Sequence, residues 1–121
     1  MSKRILVVED HEENRRIVRD LLTSAGYEIV EAVTGEEGVT LAESEHPDLI
    51  LMDIQLPGID GYETTRRIKA NPASRRIPII AVTSYALSGD DVKALAAGCD
   101  AYVTKPFSPR ALLAKVREYV P

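Results

Sequence analysis

Acidic side chains directly follow two of the most apolar stretches in the sequence. Glu9 and Asp10 come after the first stretch, and Asp53 comes after another one further along the chain. A hydroxyl, Thr83, and an ammonium, Lys105, follow two more apolar stretches in the same way. If these stretches are neighbouring strands of one sheet, their ends bring three carboxylates, a hydroxyl and an amine to a single edge.

A divalent cation would resolve the repulsion within this group of acids. Three packed carboxylates repel one another, so at least one of them is expected to hold a proton unless a cation lies between them. Mg²⁺ suits such a place because it prefers oxygen ligands, needs few from the protein and keeps several waters. We expect Asp10 and Asp53 to be direct ligands, and Glu9, which is one carbon longer, to act through a water. A backbone carbonyl just after Asp53 could complete the set.

A metal held by so few protein groups leaves coordination positions for a phosphoryl oxygen. Phosphoryl transfer depends mainly on positioning and charge neutralisation, which a metal and a lysine can supply. We therefore expect Asp53 to be the nucleophile and to form an aspartyl phosphate. Lys105 would neutralise another phosphoryl oxygen, and the Thr83 hydroxyl would donate a hydrogen bond to it.

Short aliphatic stretches alternate with segments of helical periodicity, which predicts five strand–helix units. The predicted strands cover residues 5–8, 27–32, 48–52, 77–82 and 101–103. The predicted helices cover about 12–25, a segment beginning at Thr34, 60–70, a segment from Ser88 to Gly98, and a segment beginning at Ser108. This order predicts an α/β fold, an open doubly wound parallel sheet with helices on both faces. Ligands of such sheets bind at the carboxyl ends of the strands, where the polar residues named above lie.

Local signals mark the helix ends and the faces that meet the core. Thr34 opens a capping box with Glu37, Ser88 with Asp91 marks the start of the fourth helix, and Ser108 precedes a proline at the first helical position. The face of the first helix that is expected to meet the core carries Ile17, Val18, Leu21, Leu22 and Ala25.

The composition is typical of one globular domain, residues 1–121, with an aliphatic core. Hydrophobic residues make up 45% of the 121 residues and charged residues 28%, and Trp is absent. The net charge of −4, with basic residues scattered among the acids, argues against a nucleic-acid-binding surface. No apolar run reaches the length of a membrane span. The single Cys99, expected to pack as a small hydrophobe, excludes an internal disulfide and favours the cytoplasm.

Four segments together resemble the receiver domain of bacterial response regulators: ILVVED, LILMDIQLPGIDGYE, IIAVTSYA and AYVTKPF. The resemblance covers the whole chain and implies the flavodoxin-like (βα)5 fold, with strand order 2-1-3-4-5. It implies that Asp53 is the phosphoacceptor and that Glu9 and Asp10 are the acidic pair, with Glu where Asp is commoner in the family. It further implies that the backbone carbonyl of Gln55 binds the metal and that Lys105 is the family's lysine.

The resemblance also implies a switch. Thr83 and Tyr102 match the family's two switch positions, so Thr83 is expected to move toward the phosphoryl group and Tyr102 to fill the vacated space. This would shift an equilibrium at the face made by the fourth helix, the fifth strand and the fifth helix. Gln55 and Tyr85 would flank the phosphoryl group, and the peptide bond before Pro106 is expected to be cis.

Partners follow from the same resemblance. The phosphodonor would be a sensor histidine kinase or a histidine phosphotransfer protein, and the target a downstream protein; neither nucleic acid nor a membrane is expected.

The chain would be a phosphoacceptor switch that assists its own phosphorylation and dephosphorylation, rather than an enzyme. Because the sequence ends directly after the last helix, we expect a stand-alone receiver similar to single-domain cell-cycle and chemotaxis regulators. A module excised from a hybrid kinase or a larger regulator is the alternative.

Functions of other classes fit the same fold. An FMN-binding protein would present hydroxyls and amides to a phosphate after the first strand, where this chain presents Glu9 and Asp10. A phosphatase with an Asp nucleophile typically has a second acid two residues later, where this chain has Gln55. The third alternative is a structural or protein-interaction module that does not use these acids.

A histidine and a cluster of arginines also lie near the acids in the sequence. His11 is expected to face solvent, because Mg²⁺ prefers oxygen ligands. Arg15, Arg16 and Arg19 would form either a solvated outer face of the first helix or a docking surface for the phosphodonor.

Overall fold

Five parallel strands and five helices alternate along the chain, in a computed structural model that describes residues 2–84 and 90–121. The strands are β1 (Arg4–Val8), β2 (Glu28–Ala32), β3 (Leu49–Asp53), β4 (Ile79–Thr83) and β5 (Ala101–Thr104). The helices are α1 (Glu12–Ser24), α2 (Gly35–Glu45), α3 (Gly61–Ala70), α4 (Asp90–Ala97) and α5 (Pro109–Tyr119). The sheet order is β2-β1-β3-β4-β5. The predicted flavodoxin-like fold and strand order are therefore confirmed.

The central strands are buried on both faces, which explains their continuous apolar sequences. Every residue of β3 and β4 is buried. One face of the sheet packs against α1 and α5 through Val18, Leu22, Leu112 and Val116. The other face packs against α2, α3 and α4 through Ala42, Ile68 and Ala94. Cys99 belongs to this second cluster and is buried, as expected of a small hydrophobe.

The strand register aligns the carboxyl ends of the strands. Val8 lies opposite Met52, so the residues after β1 begin beside the end of β3. Asp53 lies opposite Val82, and Thr83 opposite Thr104, which extends the same edge across β4 and β5. The chemistry-bearing residues therefore share one edge because of register, although they are far apart in sequence.

Side-chain caps fix the starts of three helices. The Thr34 hydroxyl accepts a hydrogen bond from the Glu37 amide at 3.1 Å, and the Glu37 carboxylate reaches back to the Val33 amide at 2.7 Å rather than to that of Thr34. Asp60 caps α3 and Ser108 caps α5 in the same manner. The predicted helix start at Ser88 lies outside the described residues, and α4 is described from Asp90.

The predicted inner face of α1 was wrong at one position. Ile17 is 51% exposed, whereas Val18 and Leu22 are buried. The apolar stripe of this helix is wider than the strip that the sheet covers, so its edge residue stays at the surface. Strand boundaries differ from the predicted ones by one or two residues, most clearly at β4, which begins at Ile79 rather than residue 77.

Candidate functional site

The acids that follow β1 and end β3 converge at one edge of the sheet. One ligand atom each from Glu9, Asp10, His11 and Asp53 lies within 4.8 Å of the others. Asp53 is only 3% exposed and Glu9 is also buried. The predicted acidic cluster is therefore present, and its carboxylates stand close enough to bind one small cation.

Lys105 reaches this cluster from the loop after β5. Its Nζ lies 3.2 Å from Glu9 Oε1 and 3.5 Å from Asp53 Oδ1. The Lys105–Pro106 peptide bond is cis, as the family resemblance implies. The described residues thus place one ammonium against two buried carboxylates.

The Asp53 carboxyl keeps its proton up to near neutral pH when no cation is bound, because its pKa is raised while that of Glu9 is lowered. Burial raises the pKa of Asp53 to about 7, and the neighbouring Glu9 adds to the rise through a hydrogen bond and charge repulsion. Burial also acts to raise the pKa of Glu9, but hydrogen bonds from Asp53 and the His11 amide, with the charge of Lys105, hold that pKa below its usual value. This is the expected consequence of packing like charges together.

Asp10 supplies independent evidence that the site fits a metal. Its Oδ1 is shielded from solvent and accepts no hydrogen bond from the described residues, although His11 Nδ1 lies 3.4 Å away. A shielded carboxylate oxygen without a donor is costly unless a cation binds it. A donor set dominated by carboxylates fits a hard ion such as Mg²⁺. The His11 side chain is 68% exposed, which confirms its expected solvent-facing position.

Gln55 and Thr83 border the cluster on the β4 side. The Gln55 amide donates to Asp53 Oδ1 at 3.1 Å, and its side-chain amide lies 3.4 Å from Thr83 Oγ1. Thr83 is fully buried at the end of β4. The side-chain link between Gln55 and Thr83 was not expected from the sequence, because it depends on the register between β3 and β4.

Tyr102 lies in β5 beside this edge and is 37% exposed. It pairs with Ala81 in the sheet, two residues before Thr83 in the neighbouring strand. Tyr85, the other predicted neighbour of the phosphoryl group, lies outside the described residues. The predicted switch positions thus occupy adjacent strands.

A cavity of about 560 Å³ opens beside the acids, between α1 and α5. It meets Glu9, Asp53 and Lys105 at its polar end. Its apolar walls include Val7, Ile17, Leu51, Phe107 and Leu112. The exposed Ile17, misassigned to the core from the sequence, belongs to this wall.

Of the two interpretations of the α1 arginines, the solvated face does not hold for Arg15, whose side chain is only 15% exposed. Its guanidinium donates to the Glu9 carbonyl at 3.0 Å and to Glu31 Oε1 at 3.1 Å. Arg19 also binds Glu31, with Nη1 3.2 Å from both carboxylate oxygens. No sequence signal pairs these residues, because the partner lies on β2.

No helix within residues 2–84 and 90–121 combines the length and the apolar character needed to cross a bilayer.

Comparison with known proteins gives the same fold. The polar-differentiation response regulator DivK of Brucella ovis is 42% identical over 120 residues, which is 99% of this chain and 98% of that protein. The receiver domain of sensor histidine kinase PA1611 from Pseudomonas aeruginosa, solved with magnesium in its active site cleft, is 39% identical with a TM-score of 0.92 over 99% of this chain and 98% of that one. The chemotaxis response regulator CheY4 of Vibrio cholerae is 26% identical with a TM-score of 0.92, over 98% and 99%.

The family pattern described as the response regulator receiver domain matches residues 5–117, nearly from end to end. Because that match spans the acidic edge and the lysine loop as well as the sheet, the chain belongs to the receiver domain family of two-component response regulators.

Proposed function

We propose that Asp53 receives a phosphoryl group from a phosphohistidine while Mg²⁺ is bound beside it, and that residues 1–121 act as one receiver unit. One observation carries this proposal: the nearly buried Asp53 carboxylate lies against two further acids and 3.5 Å from Lys105 Nζ. A buried acid with a raised pKa beside a cation site is typical of a functional centre.

Asp10 and Asp53 would bind Mg²⁺ directly, the backbone carbonyl of Gln55 would be a third ligand, and Glu9 would act through a water. The unpartnered Oδ1 of Asp10 supports the first of these assignments. The magnesium in the cleft of the PA1611 receiver domain supports the choice of metal. The bound ion would ionise Asp53 and offset the charge of the incoming phosphoryl group.

The transfer itself is a substitution at phosphorus. An oxygen of Asp53 attacks as the P–N bond of the donor breaks, which forms an acyl phosphate, and the imidazole nitrogen keeps the electron pair and takes up a proton. Lys105 neutralises one phosphoryl oxygen, because its Nζ already faces Asp53 Oδ1. The buried Thr83 hydroxyl donates to another oxygen.

The donor is a sensor histidine kinase or a histidine phosphotransfer protein, as is general for receiver domains. The apolar cavity between α1 and α5 meets the acids at one end, so a helix carrying the reactive histidine can lay its apolar residues there. Hydrolysis of the acyl phosphate would return the protein to its resting state. A cytoplasmic location follows from these partners.

Phosphorylation adds about −1.5 to −2 charge and strong acceptor oxygens at Asp53. Thr83 would move toward these oxygens and Tyr102 would turn into the space it leaves, which shifts the α4–β5–α5 face toward the form that binds a downstream protein. A Thr83→Ala variant that is phosphorylated normally and still binds its target only when phosphorylated would contradict this switch.

Mass spectrometry of the intact protein tests the transfer. The protein is incubated with Mg²⁺ and phosphoramidate, and the wild type should gain the mass of one phosphoryl group. Asp53→Asn should gain none, whereas Asp60→Asn, which alters an exposed helix cap and keeps a capping amide, should behave as the wild type does. Equal labelling of Asp53→Asn, or no labelling of the wild type, would refute the proposal.

A further inference from the structure

Arg15 ties the loop that carries the acidic pair to a strand on the far side of β1. Its Nη1 lies 3.0 Å from the carbonyl oxygen of Glu9 and 3.4 Å from that of Asp10, and its Nε donates to Glu31 Oε1 at 3.1 Å. The Glu31 carboxylate is held in turn by Arg19. The guanidinium therefore bridges two consecutive carbonyls and one acid of β2.

The bridge contacts the backbone carbonyls of the acids and not their carboxylates. The Glu9 amide already bonds to the Ala32 carbonyl at 3.0 Å, so both peptide groups of this residue are fixed, one by β2 and one by Arg15. With the carbonyls of Glu9 and Asp10 turned to the guanidinium, their side chains are directed to the cluster around Asp53. The Arg15 side chain is only 15% exposed, so this geometry is sheltered from water.

We propose that Arg15 is a positioning residue for the metal site, and that it presents Glu9 and Asp10 to the ion by fixing the loop between β1 and α1. This inference rests on the proposed function. Residues that hold metal ligands from outside commonly change metal affinity about 10- to 100-fold when removed. The planar guanidinium of Arg can donate hydrogen bonds to a carboxylate and two carbonyls at once, and a Lys ammonium cannot reproduce that geometry.

Charge and positioning predict opposite results for this residue. Arg15 places a positive charge near a site that binds a cation, so deleting that charge alone should strengthen Mg²⁺ binding. Loss of positioning should weaken it. The variant Arg15→Met removes both the positive charge and the planar set of hydrogen-bond donors. The variant Arg15→Lys keeps the charge and removes only that planar set of donors.

The first measurement is the Mg²⁺ dissociation constant of each variant, by calorimetric titration at fixed ionic strength. We expect Arg15→Met and Arg15→Lys each to bind Mg²⁺ about tenfold more weakly than the wild type. The matched control is Arg19→Met, which removes an arginine from the same Glu31 carboxylate but from neither loop carbonyl. It should stay within about twofold of the wild type.

The second measurement uses the metal-free protein. The His11 amide donates to Glu9 Oε2 at 3.2 Å, so its hydrogen exchange reports how well the loop is held. Exchange at His11 should be faster in both Arg15 variants and unchanged in Arg19→Met. Glu31→Met should reproduce part of the affinity loss, and adding it to Arg15→Met should cause no further loss, because the two residues act through one bridge.

Two results separate the failure of this inference from that of the proposed function. Wild-type or tighter Mg²⁺ binding by Arg15→Met, in a chain whose wild type binds Mg²⁺ and labels Asp53, would overturn the positioning role alone. A wild type that binds no Mg²⁺ at millimolar concentrations would overturn both.

Discussion

Replacing Asp53 by Asn should stabilise the metal-free protein at alkaline pH. The carboxylate is buried, and its pKa rises from 3.8 to about 7 in the folded chain. The folded state therefore holds this proton more tightly than the unfolded state does, so folding loses stability as the pH rises from about 4 to about 7. Asn has nearly the same shape and no charge to bury.

The rise in pKa sets the size of the effect. About three pKa units, at about 1.4 kcal/mol each, correspond to about 4 kcal/mol once Asp53 is fully ionised above pH 7. The lowered pKa of Glu9 offsets part of this cost, because its hydrogen bond with Asp53 is lost in the variant. We therefore expect the free energy of unfolding of Asp53→Asn to exceed that of the wild type by about 2–4 kcal/mol at pH 8. Near pH 4 the two free energies of unfolding should differ little.

Urea unfolding followed by circular dichroism, with a chelator present, measures this difference. Asp60→Asn serves as the control at an exposed acid, and its free energy of unfolding at pH 8 should stay close to that of the wild type. Adding Mg²⁺ should stabilise the wild type, since the ion binds only the folded chain, and should stabilise Asp53→Asn much less. An unchanged or lowered stability of Asp53→Asn at pH 8, or a gain of the same size at pH 4, would show that the buried charge is not the cause.

Three further outcomes are expected. Gly61→Ala would place a Cβ 2.5 Å from the carbonyl oxygen of Asp53 and 2.6 Å from the Cα of Ile54, so it should lower the free energy of unfolding by about 1–3 kcal/mol in the same urea assay. Lys105→Met should slow labelling by a small phosphodonor at least about tenfold while Mg²⁺ binds no more weakly, because an ammonium facing two carboxylates is removed. Tyr102→Ala should leave labelling of Asp53 within about twofold and reduce phosphate-dependent target binding, measured by pull-down with and without the phosphodonor.

The acidic cluster could be predicted because residues that follow the strands of a parallel sheet lie together at one edge of that sheet. Each strong apolar run had to be a buried parallel strand, and the ends of parallel strands meet at one edge. The sequence therefore predicts that Asp53, Glu9 and Asp10 meet, and one carboxylate oxygen of each does lie within 4.8 Å of the others. The resemblance to receiver domains added the cis peptide bond, which strand periodicity could not supply.

The features that sequence could not predict depend on exact register or helix rotation. Ile17 fits the apolar stripe of α1 as well as Val18 does, but only the packed helix shows which of them the sheet covers. Arg15 carries no signal of its partner, because Glu31 becomes its neighbour only when β2 pairs beside β1. The link between Gln55 and Thr83 likewise needs the pairing of β3 with β4.

The same burial that destabilises the resting site would also make it sensitive to the proposed phosphorylation. An exposed Asp would exchange one solvated charge for another on phosphorylation, and little in the fold would respond. At Asp53, the proposed phosphoacceptor, the added charge would arise where water is excluded, so Lys105 and the Thr83 hydroxyl would have to compensate it. Thr83 ends the strand that pairs with β5, so the proposed displacement of Thr83 would act on the strand that carries Tyr102. In the proposed switch, the energetic cost of the buried carboxylate and the propagation of the signal would thus have one physical origin.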